Sequence, residues 1–97
     1  MKSFEIYLYK EVSNSIFDFL VNEILNHFKA ILISKIDDKV ETKYYDFSID
    51  EYLITLHQTP ILGISIFPTN NKNLEEKDIN FYKELSIFLK SRIYDKI

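Results

Sequence analysis

Two stretches with a hydrophobic period near 3.6 residues, one towards each end of the chain, bracket a middle block of alternating, β-branched and aromatic segments. That order limits the fold more than any other feature. Phe17, Leu20, Val21, Ile24, Leu25 and Phe28 recur at helical spacing, which predicts an amphipathic helix over 14–28. Ser13, Asn14 and Ser15 offer N-caps, and Asp18 suits the positive end of the helix dipole. Phe81 or Tyr82, Leu85, Phe88, Leu89 and Ile93 repeat the pattern, predicting a second helix over 74–95. Asn73 would cap it, with Glu76 completing a capping box, and Arg92 and Lys96 suit its negative end.

Between and before these helices the chain reads as strands. Phe4, Ile6 and Leu8 alternate with Glu5, Tyr7 and Tyr9, so one face is buried and Tyr7 and Tyr9 point outward. The stretch 30–36 is rich in β-branched Ile31, Ile33 and Ile36 and runs into the turn-like Asp37-Asp38-Lys39. A strand is the better reading, and an extension of the first helix is the alternative. Strands over 40–48, 52–58 and 61–67 follow, separated by Ile49-Asp50-Glu51 and Thr59-Pro60 and ended by Pro68. The expected fold is α+β, an antiparallel sheet of four to five strands with both helices on one face, in the order β-α-β-β-β-β-α. The first crossover should be right-handed if the strands it joins are parallel. At 97 residues, folding can bury roughly two-thirds of the chain's surface, enough for one core and a single domain over 1–97.

Composition narrows the chemistry. There is no cysteine and one glycine, which excludes disulfides, thiolate metal sites, cysteine nucleophiles and glycine-rich phosphate loops. No apolar run approaches the roughly 20 residues of a membrane span. Met1-Lys2-Ser3-Phe4-Glu5 leads into no apolar signal core, so a cytoplasmic protein is expected. Abundant Ile, Lys, Asn, Tyr and Phe point to a bacterial genome rich in A and T.

The net charge of −3 is uneven. Residues 37–51 hold Asp37, Asp38, Glu41, Asp46, Asp50 and Glu51 against Lys39 and Lys43, six acids to two bases or a local −4. Such a segment repels phosphates and speeds the approach of a basic protein, or it simply keeps a hairpin solvated. The second helix opens Leu74-Glu75-Glu76-Lys77-Asp78, without the lysines a double-stranded RNA contact would need. Neither nucleic acid nor membrane is therefore an expected partner.

Site candidates are few. His57, read as lying across from Asp46 or Ser48, could act in acid–base chemistry, but a structural histidine is the default. Glu23 and His27 share a helix face and read as an exposed i,i+4 pair rather than half a metal site. Asp37, Asp38 and Glu41 could bind a cation but read as a charged turn. No catalytic residue, metal or cofactor is expected. Tyr44 and Tyr52, beside the acids, are anchor candidates for a protein interface, since tyrosine is enriched in interface cores.

The stretch Lys43-Tyr44-Tyr45-Asp46-Phe47-Ser48-Ile49-Asp50-Glu51-Tyr52-Leu53-Ile54-Thr55-Leu56-His57, running into Leu62-Gly63-Ile64-Ser65-Ile66, resembles small bacterial toxin-immunity proteins, including those of contact-dependent growth inhibition systems. It is also similar to small uncharacterised bacterial proteins of strand–helix–meander–helix order. The resemblance implies a non-catalytic inhibitor that neutralises a cognate toxin domain, often a basic nuclease. The resemblance assigns no residue roles; the acidic segment and its tyrosines make Asp37, Asp38, Glu41, Tyr44, Asp46, Asp50, Glu51 and Tyr52 the expected binding surface, on a monomer or weak homodimer when free. The alternative is a small homo-oligomeric structural or regulatory subunit that pairs through its open sheet face.

Overall fold

The first strand of the chain pairs with the last. In the computed structural model, which describes residues 5–38, 41–70 and 74–96, β1 (Ile6–Tyr9) lies antiparallel to β5 (Gly63–Pro68). With β2 (Ile31–Asp37), β3 (Lys43–Ile49) and β4 (Tyr52–Thr59), they form one five-stranded sheet in the order β1-β5-β4-β3-β2. Every neighbouring pair is antiparallel. The helix α1 (Asn14–His27) therefore carries the chain from one edge of the sheet to the other, and α2 (Glu76–Lys96) completes the order β-α-β-β-β-β-α. The fold is α+β, as the periodicities predict. The parallel crossover does not arise, because β1 and β2 occupy opposite edges.

Local chemistry explains the boundaries. Ser13 caps α1: its hydroxyl accepts the Ile16 N–H at 3.2 Å. The second helix begins at Glu76, later than predicted. The Asp78 carboxylate accepts the Glu75 N–H at 2.9 Å while the Ile79 N–H returns to the Glu75 carbonyl, so Asp78 rather than Glu76 closes the first turn. The predicted cap Asn73, and Phe4, Lys39 and Val40 of the predicted strands and turn, lie outside the described residues. The fifth strand starts at Gly63 instead of residue 61. Pro60, Ile61 and Leu62 form the turn, held by the Thr59 hydroxyl accepting the Leu62 N–H.

Both helices cover one face. Phe17 of α1 meets Tyr45 of β3 edge-on at 4.9 Å, and Phe81 of α2 stacks on Tyr52 of β4 at 4.0 Å. Tyr45 and Tyr52 project to the same side as Phe47, Ile54, Leu56, Ile64 and Ile66, all buried. Fully burying a side chain such as Phe17 or Leu20 contributes on the order of 2 kcal/mol. Across the helix pair, the Arg92 guanidinium donates to Glu23 Oε1 at 2.9 Å.

One edge departs from simple alternation. The register of β1 shifts between Tyr7 and Tyr9, and the bulge turns Tyr9 towards the core, where it is half-buried. Only Tyr7 remains outward, at 46% exposure, which corrects the expectation that both tyrosines point out. Gly63 makes this edge possible. Its φ is +83°, and a Cβ there would lie 2.3 Å from the Tyr9 carbonyl oxygen, so only glycine lets β1 close on β5.

Candidate interaction surface

The face of the sheet away from the helices carries the candidates. Its rows follow from the register. Tyr7, Ser65, His57, Tyr44 and Ile36 lie side by side across all five strands, and Phe67, Thr55, Asp46 and Ser34 form the next row. His57 thus stands opposite Tyr44 and Ser65, not Asp46 or Ser48; the residue opposite Asp46 is Thr55.

This face is polar underneath and aromatic above. Thr55 and Ser65 are 3% and 2% exposed, although no helix covers them. The Thr55 hydroxyl donates to Asp46 Oδ1 at 2.7 Å and meets the Thr69 hydroxyl at 2.8 Å. The Ser65 hydroxyl donates to Glu5 Oε2, and His57 Nδ1 lies 3.9 Å from the same oxygen. The serine therefore engages the carboxylate and not the imidazole, which is not the relay a nucleophilic hydroxyl requires. Tyr44 stacks on His57 at 4.2 Å and Phe67 meets the imidazole edge-on at 5.8 Å.

The acidic residues separate into groups. Asp38 holds the β2–β3 turn, its Oδ1 accepting the N–H groups of Glu41 and Thr42 at 3.0 and 3.1 Å. Asp37 ends β2 on the helix side, opposite Lys43. Asp50 and Glu51 form the β3–β4 turn at the far end of the sheet; Asp50 takes φ +54°, and Glu51 pairs with Lys77 at 3.7 Å. Seven residues of β3 set the two turns about 20 Å apart, more than twice the screening length of about 8 Å in physiological salt. They do not act as one patch. Asp46 lies between them on the open face.

Tyr44 and Tyr52 fall on opposite faces. Tyr44 is 38% exposed on the open side, whereas Tyr52 is clamped against Phe81 and Tyr82 of α2. Burial and the neighbouring Glu51 push the Tyr52 phenol above its ordinary pKa. Its role in the fold is packing.

Sequence reasoning missed two anchors. Gln58 is fully buried at the end of β4. Its Oε1 accepts the Ser13 N–H at 3.1 Å, and its Nε2 donates to Asn14 Oδ1 and the Glu41 carbonyl at 3.1 and 3.0 Å. It ties the α1 cap to the acidic turn, and no motif announces it. Lys43, 7% exposed, extends over the Phe17 ring at 5.0 Å with Asp18 Oδ1 at 4.0 Å. In the local charge count it looks like a solvated base.

The remaining concavities are shallow. One, of about 710 Å³, lies between β1 and the β4–β5 turn and is lined by Tyr7, Leu8, Tyr9, Lys10, Ile61 and Leu62. Among the described residues no group of three His, Asp or Glu side chains is placed to hold a metal ion, and no helix is long and apolar enough to cross a membrane. No family model, curated protein or solved structure matches the chain.

Proposed function

We propose that this protein is a non-catalytic binding module that neutralises a cognate bacterial toxin domain in the cytoplasm, using the open face of its sheet. The observation that carries this reading is the row of Tyr7, His57 and Tyr44 standing over an internally hydrogen-bonded polar layer. Stacking on His57 holds Tyr44 in place before contact, so little side-chain entropy is lost on binding. Tyr7 and Tyr44 are the anchors. Asp46 on the face, with Asp38 and Glu41 at its rim, favours a basic partner and steers its approach. Asp50 and Glu51 lie beyond screening range of that rim, and Tyr52 supports the face from behind.

The test begins with the reading frame immediately upstream. Its C-terminal domain is expressed with and without this protein, following growth and co-elution on a sizing column. Relief of toxicity with a stable complex is expected; a harmless neighbour and no complex overturn the reading. In the complex, Glu41→Lys combined with Asp46→Asn should slow association at physiological salt, while Asp50→Asn leaves it nearly unchanged. An on-rate indifferent to the first pair refutes the steering role.

A further inference from the structure

The strand β2 is covered on neither face. Ile31, Ile33 and Ile36 are 68%, 56% and 61% exposed, and Leu32 is 36% exposed. Register with β3 places Leu32 and Lys35 on the helix side, opposite Phe47 and Tyr45, and Ile36 on the open side, opposite Tyr44. The helical layer therefore stops short of this strand. A run such as Ile31-Leu32-Ile33 is the pattern of a strand buried on both faces, yet here it forms the margin of the sheet. The other margin, β1, is four residues long and bulged, as protected edges commonly are. In β2 a register shift between Leu32 and Ser34 distorts the first half and leaves 34–37 as a regular outer edge.

We propose that Lys35, Ile36 and Asp37 at the end of β2 pair antiparallel with the same three residues of a second copy of this chain, about a twofold axis at Ile36, joining the two sheets edge to edge. Charge complementarity selects this occupant and this register. Centred on Ile36, the pairing sets each Lys35 directly opposite Asp37 of the other copy, twice by symmetry, with Ile36 against Ile36 between them. Centring on Lys35 opposes two lysines, and centring on Asp37 opposes two aspartates. Centring on Ser34 sets Lys35 and Asp37 against isoleucines. A shift by half a step puts opposed side chains on different faces. The seam then brings the two Tyr44 rings to about 14 Å from one another across one continuous open face. The pairing uses the edge rather than the face, so it stands independently of the toxin reading.

The chain's lack of cysteine makes the test clean. Under mild oxidation Ile36→Cys should form a disulfide-linked dimer rapidly, whereas Ile61→Cys, 89% exposed on the β4–β5 turn, should do so only slowly. Sedimentation of the unmodified chain should show a concentration-dependent dimer. Lys35→Asp, and separately Asp37→Lys, should weaken it about tenfold, since each change affects two symmetric pairs. The double exchange should restore it. Circular dichroism checks that each variant is folded. A chain that stays monomeric at the highest concentration reached overturns the proposal. So do equal cross-linking rates at residues 36 and 61, and a dimer that the double exchange fails to restore.

Discussion

Tyr44 and His57, opposite one another on β3 and β4, stack at 4.2 Å with their planes 20° apart. The imidazole is a plate beneath the phenol, with Phe67 against its edge. A pair of this kind contributes about 0.5–1.5 kcal/mol beyond the area it buries. Single Tyr44→Ala and His57→Ala variants and their double should therefore show a coupling of that size in urea unfolding. Strict additivity contradicts the stack.

Gly63→Ala should be severe. The left-handed φ of +83° and the Tyr9 carbonyl oxygen 2.3 Å from the new Cβ act together, and the backbone of β1 must move. A loss above about 3 kcal/mol in urea unfolding is expected, with amide exchange accelerated first in β1. A loss below about 1 kcal/mol contradicts the close approach.

Gln58→Leu keeps the volume and removes both the acceptor and the donor of the side-chain amide. The part-buried Ser13 N–H and Glu41 carbonyl then lose their partner, a cost of about 1–3 kcal/mol. Heteronuclear spectra should show the changes concentrated at the start of α1 and the β2–β3 turn. Changes spread evenly over the sheet argue against this tie.

Alkaline pH should weaken the fold through Tyr82. Burial first, then the Asp78 carboxylate, pushes this phenol up to about 12, while an unfolded tyrosine titrates near 10. The folded value is the higher, so the unfolded chain loses its proton first. Stability from Tyr82 is complete below pH 10 and falls as pH rises from 10 to 12. Tyr45, raised by its own burial and by Asp37 and Asp18, acts in the same direction. In Tyr82→Phe, which also lacks the bond to the Leu53 carbonyl, the thermal midpoint should start lower and decline less steeply over that range. Equal slopes refute the assignment.

Much of the architecture was legible because each element carries its own period. Phe17, Leu20 and Ile24 mark the buried stripe of α1, and the alternation of Tyr45, Phe47 and Ile49 fixes the inner face of β3. Pairing between distant strands leaves no such trace. Nothing in Ile6 or Ile66 specifies that they become neighbours, and the bulge that turns Tyr9 inward follows from that meeting. The same holds for the surface. Tyr44 and Tyr52 look equivalent beside the acids, but the parity of two strands joined by a tight turn sends them to opposite faces. Local charge counting joined Asp38 to Asp50 because it measures distance along the chain, whereas an extended strand carries them apart.

The placement of β1 also bears on how the molecule is assembled. Among themselves, strands β2 to β5 pair only as sequence neighbours, so their hairpins close short loops and can form early. β1 must wait for a partner some 60 residues downstream, as the Ile6–Ile66 pairing requires. β1 therefore finds its place only after β5 is made, and until it docks the side of β5 beside Gly63 is open. A nascent chain stalled before residue 63 would hold Tyr7 and Tyr9 without the strand they pair with, and growth of the chain itself sets when this margin of the fold closes.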